Sequence, residues 1–305
     1  MPDMRCRLAQ PVLAIAYVLS CQPPTHAQVL LHAANPEAQN VKACAPSPVD
    51  KGPSGLEVAI AELSFEGDLH LAIADQDQIA TSLKERTYSG EPDGVASEVE
   101  ERVRRAWQDH GYVKVQAHGD ASVLTSSPAS ERIAVTVRLD EGQQYRLENI
   151  RFKGNREISN VNALRSLFPI KDGDIFGREE VATGLDNLRF AYRQMGHINF
   201  TSIPNTQFND ERQTISLGID VDEGKKFIVS NVSILGLDDH VVEDSPLKPG
   251  KVYDQRLVDL FWQEHASSLP IDASPDSRIH LQLDERAGTV AITFDFRTCA
   301  LQERP

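Results

Sequence analysis

The clearest pattern of apolar and polar positions lies between Tyr145 and Gly224. Strands are predicted where apolar residues alternate with polar ones, and helices where apolar residues recur three or four positions apart. The predicted elements are, in order, a strand at 145–154, helices at 158–168 and 178–195, and strands at 197–203 and 214–221. The stretch therefore has the order β-α-α-β-β.

The same order recurs before and after this stretch. Gly111 and Gly196 each end a predicted long helix and are 85 residues apart. Asp140-Glu-Gly142 and Asp222-Glu-Gly224 follow a predicted strand and are 82 residues apart. The glycines that end the first strands recur at a similar spacing, at Gly67, Gly154 and Gly236. Because several separate features share one spacing, the sequence predicts an internal repeat of about 80 residues.

We therefore predict an α+β protein of three tandem units. In each unit, two helices would cover one face of a small three-stranded sheet and leave the other face and an edge exposed. The third copy is degenerate, because its first helix is short and is interrupted by Pro246. The predicted boundaries are a signal peptide at 1–27, a flexible leader at 28–55, repeat units at 56–143, 144–224 and 225–299, and a tail at 300–305.

The N-terminus predicts export from the cytoplasm. Arg5 and Arg7 precede the apolar run Leu8–Leu19, and the small residues before Gln28 are typical of a cleavage site. One alternative is processing as a lipoprotein, with lipid on Cys21, and another is an uncleaved anchor. All three place the mature chain outside the cytoplasm.

Charge and motifs argue against several functions. A net charge of −14 disfavours a nucleic-acid partner, since phosphate binding needs concentrated Lys and Arg. The sequence contains no His-Glu-x-x-His, Gly-x-Ser-x-Gly or phosphate-loop motif, and its Asp-Gly-Asp at 172–174 lacks the calcium-loop spacing. We expect no enzyme activity, no small-molecule substrate, and no cofactor or metal site. An exported enzyme with an unrecognised site is the lesser alternative. Cys44 and Cys299 could form a disulfide if the chain brings them together.

The repeat resembles the POTRA domain of outer-membrane protein assembly factors. The resemblance is carried by Ile150-Arg-Phe-Lys-Gly-Asn155, Ile170-Lys-Asp-Gly-Asp-Ile-Phe176, Leu188-Arg-Phe-Ala-Tyr-Arg-Gln-Met-Gly196 and Val221-Asp-Glu-Gly224. It implies three POTRA-like units in a periplasmic scaffold, associated with the outer membrane. Only nine residues follow Phe296. We therefore expect a repeat array without the membrane β-barrel that usually follows such units.

The resemblance also implies the partners, which are unfolded outer-membrane polypeptides or a separate outer-membrane β-barrel subunit. Clients would bind by strand addition, because an edge strand offers unpaired N–H and C=O groups. The family's sheet order places the strand after the second helix at an edge. The candidate docking residues are therefore Val113, Lys114, Val115, Gln116 and Ala117 in the first unit and Ile198, Asn199, Phe200, Thr201, Ser202 and Ile203 in the second.

Two alternatives remain open for these segments and for the chain. The segments could be solvated or covered by a neighbouring unit, and the array could be an architectural scaffold in an envelope complex. The Asp-Glu-Gly signals mark the junctions between units, where their carboxylates are expected to cap or to form ion pairs across the junction rather than to catalyse.

Overall fold

The computed structural model describes residues 57–127, 130–238, 241, 243, 245–269 and 273–297. The predicted signal peptide and leader, Cys21, Cys44, Cys299 and the tail lie outside the described residues. Lipidation and disulfide formation therefore stay predictions.

Unit 1 is a four-stranded sheet covered by two helices. Its elements are β1 (Glu57–Glu66), α1 (Ile73–Lys84), β2 (Tyr88–Ser89), α2 (Pro92–Asp109), β3 (Gln116–Ser126) and β4 (Ser130–Asp140). The strand order is β2-β1-β4-β3, with β1 parallel to β4 and β3 antiparallel to it. The prediction of three strands was wrong here, because the segment between the helices adds the short strand β2.

Unit 2 is a three-stranded sheet with two helices. Its elements are β5 (Arg146–Lys153), α3 (Val161–Arg165), α4 (Arg178–Gln194), β6 (Thr201–Asn209) and β7 (Thr214–Asp222), in the strand order β5-β7-β6. Helix α3 is shorter than predicted. The Asn160 side chain accepts from the N–H groups of Asn162 and Ala163 and so fixes the helix start after Ile158.

Unit 3 has the strand order β8-β10-β9. Its elements are β8 (Ile228–Leu235), α5 (Gln255–His265), a 3₁₀ turn (Ala266–Ser268), α6 (Pro275–Arg278), β9 (Ile279–Asp284) and β10 (Thr289–Asp295). Helix α5 begins where the Asp254 side chain accepts from the N–H of Arg256. The predicted α+β architecture of three tandem units is confirmed.

Each unit has its own apolar core between the sheet and its helices. In unit 1 Val99, Val103 and Trp107 of α2 are fully buried in this core. In unit 2 Leu188 and Tyr192 of α4 take the equivalent places. Phe227, Tyr253 and Phe294 fill the core of unit 3. Among the residues that the structure describes, no helix is both long and apolar enough to cross a membrane.

Candidate functional site: sheet edges and joints

The strand that follows the second helix lies at a sheet edge in every unit. These strands are β3, β6 and β9, and each pairs with only one neighbour in the sheet. At the opposite edge, the first strand is partly covered by the segment between the helices. In unit 2, for example, Leu147 donates to Asp174 O at 2.9 Å and accepts from Gly173 N at 2.7 Å. Strands β3 and β6 are therefore the candidate edges for strand addition.

The predicted docking segments begin before these strands. Of the first segment only Gln116 and Ala117 belong to β3, and of the second only Thr201, Ser202 and Ile203 belong to β6. Val113, Lys114, Val115, Ile198, Asn199 and Phe200 lie in turns. The assignment of these six residues to strands was wrong, because their apolar alternation comes from burial in turns and not from a sheet.

The first turn joins unit 1 to unit 2. Val113 packs against the core of unit 2, and Lys114 Nζ lies 2.7 Å from Asp210 Oδ1, at the end of the β6–β7 hairpin. Tyr145 OH donates to the same carboxylate oxygen at 2.6 Å. The backbone N–H of Tyr145 donates to Gly111 O at 2.9 Å. The first predicted docking segment is therefore partly covered by the next unit.

The second turn joins unit 2 to unit 3 in the same way. Ile198 packs against the core of unit 3, and Asn199 Nδ2 donates to Glu285 Oε1 at 2.9 Å, in the β9–β10 hairpin. Phe227 N donates to Gly196 O at 2.9 Å. Both joints thus use the carbonyl of the helix-ending glycine, an apolar residue in the turn and a polar contact to the next hairpin.

Hydrogen bonding sets the charge states at the first joint. The Asp210 carboxylate and then the Tyr145 hydroxyl raise the pKa of Lys114 above its usual value. The hydrogen bonds that Asp210 accepts from Lys114, the larger cause, and from the Tyr145 hydroxyl lower the pKa of Asp210. The pair is therefore fully charged at neutral pH.

The glutamates of the Asp-Glu-Gly signals accept hydrogen bonds from backbone N–H groups of their own units, which fits the expected capping and not ion pairing across the junctions. Glu141 is buried and accepts from Trp107 Nε1 at 2.6 Å, from His70 N at 2.6 Å and from Leu71 N at 3.2 Å. Glu223 makes the equivalent contacts in unit 2, accepting from Arg156 N and Glu157 N. These carboxylates tie the end of a sheet to the loop after its first strand, so their role is structural.

Strand β6 is exposed over most of its length. Ile203 is 63% exposed and Phe208 is 40% exposed. Along β6, successive residues direct their N–H and C=O groups to opposite sides, and its pairing with β7 is continuous from Thr201 to Asn209. Unit 1 indicates which residues of the edge strand direct these groups away from the sheet. There the N–H of Gly119 points away from β4 and donates to Glu100 Oε2 at 3.1 Å.

Gly119 lies opposite Val137, and the equivalent residue in unit 2 is Pro204, opposite Ile219. A proline without an N–H fits an edge position whose donor would point away from the sheet. Because the direction of the backbone groups alternates along β6, Ser202, Thr206 and Phe208 direct their N–H and C=O groups away from β7. Pro204 directs its C=O the same way. The proline at position 204 was a signal in the sequence that the prediction did not use. Asp210 and Glu285 gave no such signal, because the residues that they contact across the joints, Lys114 and Asn199, lie in the preceding unit.

Within the residues that the structure describes, no group of three or more His, Cys, Asp or Glu side chains is placed to hold a metal ion. Glu141, the one buried carboxylate discussed above, has three donors around it and serves the fold.

Comparison with known proteins supports the sequence resemblance. The POTRA family model, described as a surface antigen variable number repeat, matches residues 145–224. The outer membrane protein assembly factor BamA of Neisseria meningitidis is 23% identical over 181 residues, covering 54% of this chain and 23% of that protein. BamA of Buchnera aphidicola is 21% identical over 136 residues, covering 43% of this chain and 22% of that protein. The chain thus matches less than a quarter of the length of these relatives.

The fold has a solved counterpart. The crystal structure of POTRA domains 3–5 of Haemophilus influenzae BamA covers 79% of this chain and 97% of its own, with a TM-score of 0.59 and 16% identity. That likeness concerns the fold, and it includes three consecutive units. The family match shows a POTRA domain in unit 2, and the chain resembles the periplasmic parts of outer-membrane protein assembly factors.

Proposed function

We propose that this chain is a non-enzymatic periplasmic module that binds extended segments of outer-membrane polypeptides by strand addition to β6. The observation that carries the proposal is the free outer side of β6. The described residues place no strand beside it, and Thr206 and Phe208 direct N–H and C=O groups outward. An extended chain could complete this ladder with little demand on its sequence.

The edge of unit 1 is less suited to the same task. Helix α2 packs along β3 much more extensively than α4 packs along β6. A Cβ at Gly119 would lie 2.8 Å from Ala96 O, so the helix backbone directly abuts the strand. Covering an edge with a helix is one way in which proteins prevent strand addition. The proposal therefore places the principal docking edge in unit 2.

Thr206→Pro tests the proposal, with Thr206→Ala as its matched control. The proline removes an N–H that points away from β7, so it leaves the internal ladder intact. The probe is a soluble peptide of alternating Thr and Val residues flanked by Lys, with binding followed by fluorescence anisotropy. Thr206→Pro should weaken binding roughly tenfold, since it removes one hydrogen bond and distorts the next. Thr206→Ala should bind like the unaltered protein. Equal affinity of all three proteins would contradict strand addition at β6.

A second candidate function is an architectural scaffold that holds a separate outer-membrane β-barrel subunit. The two equivalent joints favour it, because repeated contacts at Gly111 and Gly196 fix how successive units follow one another. Affinity purification from envelope extracts separates the two functions. A scaffold would co-purify with one partner at fixed stoichiometry, whereas client binding would give many polypeptides in small amounts.

A further inference from the structure

One position of the edge strand can be matched between the three units by the residue that it pairs with in the last strand. In the last strand of each unit, one residue pairs with the residue just before the glycine that ends the first strand. These residues of the last strands are Arg138, Asp220 and Asp295. The preceding residues of these strands are Val137, Ile219 and Phe294, all buried. Opposite them on the edge strands lie Gly119, Pro204 and Ile279.

At this position the edge strand of every unit has no N–H available to an added strand, and the reason differs between the units. In unit 1 Gly119 N donates to the Glu100 carboxylate at 3.1 Å. In unit 2 Pro204 has no N–H to donate. In unit 3 Ile279 N donates to Pro275 O, in the short helix that directly precedes β9.

We infer that this position stops strand addition, so that an added polypeptide pairs only with the part of the edge on the hairpin side of it. The inference rests on the proposed function of β6 as a docking edge. At the stop, the carbonyl of an incoming strand would find no donor and would remain unpaired. An unpaired carbonyl shielded from water costs free energy, so a strand that runs through the stop binds less well than one that ends there.

In unit 2 the stop divides the edge unequally. On the side of the turn only Ser202 offers an outward N–H, because Phe200 N already donates to His197 O at 3.2 Å. On the hairpin side Thr206 and Phe208 both offer an N–H and a C=O. The bound segment is therefore short and ends at the β6–β7 hairpin. There it would meet Lys114 Nζ, which lies 4.7 Å from the centre of the Phe208 ring.

Amide hydrogen exchange of the full chain tests the inference with the Thr–Val peptide as the probe. In the unaltered protein the peptide should slow exchange at Thr206 and Phe208 and leave Ser202 unchanged. Pro204→Thr restores the missing donor, so protection should extend to Ser202 and affinity should rise roughly two- to tenfold.

The possible outcomes separate the inference from the proposed function. Protection at Ser202 in the unaltered protein, or no gain in affinity for Pro204→Thr, would overturn the stop while leaving β6 as a docking edge. Absence of protection at every β6 amide in both proteins would overturn the proposed function, and the inference with it.

The stop in unit 1 can be tested without any peptide. Glu100→Ala removes the acceptor for Gly119 N–H, whereas Glu100→Gln keeps an oxygen at the same place. Exchange at Gly119 should speed up severalfold in the first variant and stay close to the original rate in the second. Equal exchange rates in all three proteins would show that Glu100 does not hold this N–H.

Discussion

Lys114 Nζ and Asp210 Oδ1 lie 2.7 Å apart, and this ion pair links the turn after α2 in unit 1 to the β6–β7 hairpin in unit 2. Both side chains are largely exposed, at 44% and 61%. Tyr145 OH donates to the same carboxylate. The pair therefore makes the joint between the units sensitive to acid, although it contributes little to the stability of either core.

Acid should loosen this joint. Because the pKa of Asp210 is lowered in the folded chain, the ion pair is complete above the usual Asp value of 3.8 and is lost as the pH falls through the lowered pKa. The protection factor of the Tyr145 amide, whose N–H donates to Gly111 O, should therefore fall at low pH when each rate is compared with the intrinsic rate at that pH.

Asp210→Asn should show faster exchange at Tyr145 already at neutral pH. Asp186→Asn is the matched control, because Asp186 pairs with Arg189 within α4 and away from the joint. If Asp210→Asn and Asp186→Asn exchange alike at Tyr145, the ion pair does not hold the joint.

Gly111→Ala should destabilise the joint more than Gly142→Ala. Both glycines have a positive φ, +86° and +66°, which an alanine adopts at a cost of about 1 kcal/mol. At Gly111 the new Cβ would also lie 2.7 Å from Ile175 Cγ2 and 2.9 Å from Tyr145 O, whereas at Gly142 it meets nothing within 4 Å. Urea denaturation should show a larger loss in free energy of unfolding for Gly111→Ala, and equal losses would contradict the crowding at the joint.

Glu141→Ala should unfold unit 1 selectively. It leaves the N–H groups of His70 and Leu71 and the indole N–H of Trp107 without their acceptor, at a cost of about 3 kcal/mol or more. With Trp262 replaced by Phe, Trp107 is the single tryptophan, and its fluorescence reports on unit 1. Asp140→Asn, on the exposed neighbouring residue, should leave the transition near its original midpoint. A similar midpoint for Glu141→Ala would mean that these donors find other partners.

Gly184→Ala should strain the core of unit 2. A Cβ at Gly184 would overlap the ring of Phe168, which is buried against α4. Overpacking of this kind typically costs about 1–3 kcal/mol. Adding Phe168→Leu should recover part of the loss, because the smaller side chain makes room. A double variant whose loss equals the sum of the two single losses would indicate that the residues do not share this space.

The sequence predicted the architecture because its evidence is local and repeated. Helix periodicity, the helix-ending glycines and the strand-ending glycines recur at one spacing, and each constrains backbone geometry within a few residues of itself. The edge position of β6 came from the family resemblance, and Pro204 in the sequence supports it independently, since proline is tolerated in sheets mainly at edges.

The start of the edge strands was predicted wrongly for a physical reason. Val113 and Ile198 are apolar because they pack against the core of the following unit, and Phe200 because it stacks on Tyr192 in its own unit. Alternation of apolar and polar residues indicates which side chains are buried. It does not indicate whether they are buried against a helix of the same unit or against the surface of the next unit. Glu141 shows the converse case, since a carboxylate at a domain boundary in sequence serves the interior of one unit.

The contact from Tyr145 N–H to Gly111 O has a consequence for how the chain matures. The carbonyl of Gly111, just after the long helix of unit 1, receives its partner only when the first residues of unit 2 are present, whereas Gly196 O accepts from Ile198 N of its own unit as well as from Phe227 N. A chain that folds from its N-terminus would therefore complete unit 1 only when the first residues of unit 2 have followed. A fragment of unit 1 cut at residue 143 would lack this last bond, whereas a fragment extended past Tyr145 would keep it.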